Sequence, residues 1–164
     1  MRHKSLKGTD VLFGEWRWAM DIKALIEEAT QALNDHDLEK FASLHDPNVE
    51  FTDPGRSGKG REDFVALLKL MHAAFPDMRS RLENLMAEGD KAFFEATLEG
   101  TQSAPFRMPD GPEIPATGKR VSLRAAVYVE GRDGKIVKSH AYQDRMEMME
   151  QLGIMSQAST TARG

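Results

Sequence analysis

The sequence predicts an α+β domain in which helices come first and pack on one face of a strongly curved, mixed or antiparallel sheet. Three observations predict it. Apolar residues recur every three or four positions from Asp21 to Phe75. The period changes to two after Pro76. Turn residues then separate four apolar strands.

The helical half reads in order. Ile22, Leu25, Ile26, Ala29 and Leu33 form the buried stripe of a first helix, which Asn34-Asp35-His36-Asp37 breaks. Asp37 caps a second, short helix holding Leu38, Phe41, Ala42 and Leu44, and Pro47 forbids its continuation. Val49 to Thr52 alternates as a short strand that Asp53-Pro54-Gly55 ends. Gly58-Lys59-Gly60 reads as a flexible loop. A third helix presents Phe64, Leu67, Leu68, Met71, Ala74 and Phe75 on one side until Pro76.

The strand half follows. Arg79 to Met86 alternates loosely, Gly89-Asp90 turns the chain, and Ala92 to Thr101 is a long strand. Residues 103–118 carry four prolines and read as a loop over the sheet. Val121 to Glu130 and Ile136 to Asp144 are joined by the tight turn Arg132-Asp133-Gly134. A short Met-rich helix from Arg145 to Leu152 closes the domain, with Gly153 as its C-cap.

Composition narrows the class. A chain of 164 residues suits one domain with a core of its own, expected over residues 20–155. With 22 basic against 26 acidic residues and no basic block, nucleic acid is not expected as a partner. No apolar run approaches the ~18 residues a membrane helix needs, so no membrane partner is expected. The absence of cysteine removes thiolate chemistry and disulfides and fits a reducing, cytoplasmic compartment. The five histidines show no chelating spacing, so neither a metal nor a phosphate-cradling cofactor is expected. Residues 1–19 are expected to be a poorly ordered extension, or to precede a functional start at Met20. The other reading is an arm that packs Trp16 and Trp18 on the body or a partner chain. Residues 156–164 read as a flexible tail.

Several segments then occur in a telling order. They are His45-Asp46-Pro47-Asn48-Val49-Glu50-Phe51-Thr52-Asp53-Pro54, Phe75-Pro76-Asp77-Met78-Arg79, Ala87-Glu88-Gly89-Asp90, Glu99-Gly100-Thr101-Gln102 and Pro115-Ala116-Thr117-Gly118-Lys119. Asp133-Gly134-Lys135-Ile136-Val137, Asp144 and Gln151-Leu152-Gly153 follow. Over Asp21 to Ile154 the chain resembles the SnoaL-like polyketide cyclases, also called predicted ester cyclases, of the NTF2-like and ketosteroid-isomerase-like group. The resemblance implies a cone-shaped α+β barrel around a pocket, assembled as a homodimer or higher homo-oligomer. It implies a small apolar or polyketide-like ligand. The implied reaction is cofactor-independent acid/base catalysis beside a carbonyl, an aldol-type ring closure. Isomerisation or dehydration of the ketosteroid-isomerase type is the alternative, as is a non-catalytic binding module on the same fold.

In the resembled cyclases an aspartate seven residues before Gln-Leu-Gly is the general acid/base, and Asp144 stands at that spacing from Gln151. The competing reading is that Asp144 caps the following helix, with Glu147 completing a capping box. Alternation along the last strand places Lys138, His140, Tyr142 and Asp144 on one face, and Val137, Ser139, Ala141 and Gln143 on the other. If Asp144 faces the pocket, so do His140 and Tyr142, which become the supporting catalytic candidates. His140 stands where many relatives have an aromatic residue, and Gln102 where many have histidine.

Phe51, Phe64, Met71, Phe75, Phe106 and Met148, with Met108 near the mouth, are the expected apolar lining of a ligand pocket. They also suit a plain core. Gln102 and Arg124 are polar binding candidates, although Arg124 also suits a sheet-to-sheet dimer face. Asp53 before Pro54 reads as an Asx-turn residue, with a second acid as the alternative, and His45 reads as a surface-loop residue.

Overall fold

A computed structural model describes residues 21–107 and 113–154. The expectations for residues 1–19, for Met108 and for the 156–164 tail lie outside the described residues.

Helix α1 (Ile22–Asn34) starts where Asp21 accepts a cap bond from the Lys23 N–H, and buries Ile22, Leu25, Ile26, Ala29 and Ala32. Helix α2 (Leu38–Ser43) starts at Asp37, whose carboxylate accepts from the Lys40 N–H at 2.9 Å. Strand β1 (His45–Asp53) leads into β2 (Arg56–Lys59), the segment read as a flexible loop. There Gly58 lies against Phe51, and a Cβ would meet the Phe51 ring at 2.5 Å. A pairing this close admits only glycine, so the residue that suggested flexibility is what lets the strand form. Helix α3 (Arg61–Ala74) follows.

Strands β3 (Arg79–Glu88), β4 (Lys91–Thr101), β7 (Arg120–Arg132) and β8 (Lys135–Gln143) run as antiparallel neighbours. Between β4 and β7 a small hairpin, β5 (Phe106–Arg107) with β6 (Glu113–Ile114), sits within the Pro-rich loop. The six-stranded sheet has the order β2-β1-β8-β7-β4-β3, and its one parallel pairing joins β1 to β8. The sheet is mixed and curled rather than closed. Helix α4 (Arg145–Leu152) begins at Asp144 and ends at Gly153, whose φ of 75° is the left-handed C-cap geometry glycine favours.

Two apolar clusters fill the curl. One joins α1 and α2 to Val49, Phe94, Ala96, Val129 and Ile136. The other joins the end of α3 to Phe106, Ile114, Val121, Leu123, Met148 and Leu152. Among the described residues no helix is long and apolar enough to cross a membrane.

Candidate active site

The space inside the curl is an apolar cavity of about 190 Å³, walled by residues such as Ile26, Leu68, Phe94, Leu98 and Val127. A wider mouth of about 740 Å³ lies outside it, between the β1–β2 turn, the β5–β6 hairpin and the start of α4. Asp53, Leu67, Met71, Leu123, Gln143 and Met148 line both spaces and form the neck between them.

Two polar side chains stand in this apolar neck. Asp53 continues the inward face of β1 after Val49 and Phe51, which are buried. Its carboxyl is partly buried, and desolvation pushes its pKa up from 3.8 to about 6, against the opposing pull of the Arg145 guanidinium. That guanidinium also lies against Gly55, whose φ of 81° turns the chain out of β1. Gln143, 90 positions further along the chain, directs its Nε2 toward Asp53 Oδ1 at 3.5 Å. Its Oε1 is sealed from solvent, and no donor among the described residues reaches it. A buried carbonyl oxygen left without a donor costs about 1–3 kcal/mol. The arrangement places a basic carboxylate at the neck beside a buried acceptor that no donor among the described residues reaches.

Deeper in, His45 is 2% exposed rather than on the surface. Its Nδ1 lies 2.7 Å from the Phe41 carbonyl oxygen, to which it donates. It stacks on Phe41 and meets Phe64 edge-on. Burial lowers its pKa to about 4, so the ring is neutral and Nε2 carries the lone pair. The surface-loop reading fails because Asp46-Pro47 lies inside β1 rather than in a loop, which turns the residue before it onto the core.

The alternation of His140 and Tyr142 against Ser139, Ala141 and Gln143 holds on β8, but the second set, not the first, faces the pocket. Pairing runs Val129 with Ser139, Glu130 with Lys138, and then Gly131 with Ile136, so Val137 is an extra residue on β8. This bulge reverses the inward set. Ile136 points in, but Ser139, Ala141 and Gln143 then line the cavity. His140 lies on the outer face, opposite Tyr128, with ring centroids 6.4 Å apart. Tyr142 is also outside and 57% exposed. Asp144 falls past the strand. It caps α4, its Oδ1 accepting from the Met146 and Glu147 N–H groups, and it lines the outer mouth rather than the inner cavity.

Of the expected lining residues, Phe64 lines the inner cavity, Met71 and Met148 the neck, and Phe106 the outer mouth. Phe51 packs behind Phe64, stacked at 4.7 Å, and Phe75 packs edge-on to Phe106. Arg124 lies on the outer sheet face, where it is exposed. Gln102 is fully buried away from the cavity and ties down the Pro-rich loop. Its Nε2 donates to the Pro115 carbonyl at 3.1 Å, and its Oε1 accepts from the Thr117 hydroxyl at 2.7 Å. Sequence reasoning offers Asp53 only as an alternative acid and leaves Gln143 on the face opposite the catalytic candidates. For Asp53 the signal was there, because it continues the phase of Val49 and Phe51. For Gln143 the bulge hides it. Among the described residues no group of three metal-ligating side chains forms.

The same architecture recurs in solved structures. AclR from Streptomyces galilaeus, described as a candidate hydroxylase, is 26% identical over 80% of this chain and 95% of its own, with a TM-score of 0.70. TsrD from Streptomyces laurentii is 25% identical over 83% of this chain and 99% of its own, with a TM-score of 0.72. IdmH from Streptomyces antibioticus, described as a candidate polyketide cyclase, shares the fold at 24% identity, over 82% of this chain and 99% of its own, with a TM-score of 0.70. No functionally curated protein matches the chain. The SnoaL-like domain model matches residues 26–139, from the middle of α1 to the cavity-lining Ser139 of β8, and the chain therefore belongs to the SnoaL-like family of the NTF2-like group.

Proposed function

We propose that this protein is an acid/base enzyme acting beside a carbonyl of an apolar ligand, with aldol-type ring closure as the reaction. The observation that carries the reading is Asp53, a carboxyl with a pKa raised to about 6 at the neck of an apolar cavity. A base works best when its pKa lies near the working pH, and desolvation also strengthens it toward a carbon acid. Asp53 takes the proton from the carbon next to the carbonyl, and the resulting enolate attacks a second carbonyl of the same molecule. Asp144, at the outer mouth, is the second carboxyl of the proposal and the one the cyclase resemblance favours. Asp53, protonated by the first step, returns that proton to the new alkoxide, and Asp144 stands as the alternative base. Isomerisation uses the same first step, with the proton returned to a different carbon.

The test is a screen of β,γ-unsaturated cyclic ketones and 1,3-dicarbonyl compounds, scored by double-bond migration, ring closure and exchange of the acidic C–H for deuterium. Asp53→Asn is expected to lower kcat/KM by about 10²–10⁴-fold, the usual worth of a general base. In the wild type kcat/KM should rise with pH through about 6. Turnover that survives Asp53→Asn and vanishes in Asp144→Asn would move the base to Asp144. A wild type that binds the ligands and turns over none of them would favour the non-catalytic module.

The outer sheet face supports a homodimer as part of the same proposal. Met86, Phe93, Tyr128, His140 and Thr52 are register partners in one row across β3, β4, β7, β8 and β1. Met86 is 63% and Phe93 38% exposed, with Arg124 on the same face. A second copy covering this row would bury it by isologous packing.

A further inference from the structure

The polar atoms of the inner cavity are mostly acceptors. Gln143 Oε1 is buried and meets no donor among the described residues. His45 Nε2 carries the lone pair, because Nδ1 donates to the Phe41 carbonyl. The Thr30 hydroxyl spends its hydrogen on the Ile26 carbonyl at 2.9 Å and keeps only lone pairs. Ser80 and Ser139, whose hydroxyls rotate, complete the polar lining beside Asp53. Among the described residues no lysine or arginine lines this cavity; Arg56, Arg107 and Arg145 all lie at the outer mouth.

We infer that the inner cavity takes a neutral, single-ring compound whose ring hydroxyl donates to Gln143 Oε1. The inference rests on the reading of the Asp53–Gln143 neck as the substrate site, and it names the part of the substrate that passes the neck. Three arguments support it. A buried acceptor without a donor is satisfied by a ligand O–H or N–H once the Gln143 amide turns toward the cavity, and such a ligand displaces any water held there. An anionic ring finds no cation inside and faces the Asp53 carboxylate at the entrance, so carboxylates are rejected. Size sets the ring count: an apolar cavity of about 150 Å³ holds benzene. The 190 Å³ here therefore admits one ring with small substituents. Any further ring of a larger substrate lies in the outer mouth. The serine hydroxyls remain free to donate to a carbonyl oxygen on the same ring.

The experiment is an NMR titration of the full chain with resorcinol, 1,3-dimethoxybenzene and benzoate, read on the methyl resonances of Ala29 and Val129, which line the inner cavity. Resorcinol is expected to shift both methyls and to bind about 10- to 100-fold more tightly than its dimethyl ether. Benzoate should leave both methyls unmoved. In Gln143→Met the preference should fall to about 3-fold or less, and in Asp53→Asn it should persist. The wild-type comparison decides the hydroxyl argument even if Gln143→Met folds poorly. Equal binding of the ether, inner-cavity shifts with benzoate, or no binding of any single-ring probe would overturn the inference. So would 1,8-dihydroxyanthraquinone shifting both methyls as resorcinol does. Turnover that survives both Asp53→Asn and Asp144→Asn would sink the acid/base reading while leaving a retained hydroxyl preference standing, so the two failures are distinguishable.

Discussion

Asp53→Asn should make the protein more stable at neutral pH while stopping proton transfer, and the size of the gain follows from the neck. The carboxyl has a pKa of about 6 in the fold against an ordinary 3.8, because the apolar neck strips it of water faster than Arg145 compensates. The folded state therefore holds this proton more tightly than the unfolded chain. The associated stability is complete below pH 3.8 and is lost as pH rises through about 6. Above that, ionised Asp53 costs about 3 kcal/mol at most, and about 1.5–3 kcal/mol with allowance for its partial exposure to the mouth. Asparagine keeps the shape and polarity but carries no charge to desolvate. For a domain of this size the gain corresponds to a rise in Tm of about 4–10 °C at pH 8. At pH 3.5, where Asp53 is protonated in the fold and mostly protonated in the unfolded chain, the two proteins should melt within about 1 °C of each other. Differential scanning calorimetry of both proteins at the two pH values is the assay. A variant no more stable than wild type at pH 8, or equally stabilised at both, would refute the desolvated-carboxyl argument and with it the main support for Asp53 as the base.

Three further expectations follow from other parts of the molecule. His45, buried and neutral with a pKa of about 4 against an ordinary 6.5, contributes stability above pH 6.5 that is lost as pH falls through 4. The loss is about 3 kcal/mol in full, and the His45 ring resonances should titrate near 4; a midpoint near 6.5 would contradict its placement. Gly58→Ala drives a Cβ to 2.5 Å from the Phe51 ring, which is already stacked on Phe64. It should cost about 1–3 kcal/mol in chemical denaturation, and Phe51→Leu should recover part of that. Phe93→Glu, in the exposed row on the outer face, should halve the mass measured by light scattering if that face joins two copies, with no change in circular dichroism; an unchanged mass would place any interface elsewhere.

Which parts of this molecule can be read from the chain follows from how local their causes are. The helices announce themselves through apolar spacing and aspartate caps, and α4 carries both its Asp144 start and its Gly153 stop within ten residues. Sheet order is less local. The parallel contact of β1 with β8 joins segments almost ninety positions apart, and no residue near either strand encodes it alone. The site inherits that difficulty. Asp53 shares a face with Val49 and Phe51, a phase visible in the sequence, yet the following proline made a turn the simpler reading. On β8 a uniform two-residue period carries Ile136, Lys138, His140 and Tyr142 together, and the structure departs from it by one residue, Val137. A bulge costs little in composition, because any residue can occupy it, but it exchanges the contents of the two faces. It exposes Tyr142 and turns Gln143 toward the neck. Val137 thereby decides which β8 side chain meets Asp53. Deleting Val137 should restore the simple alternation, turn His140 and Tyr142 inward, and remove Gln143 from the carboxyl it now faces.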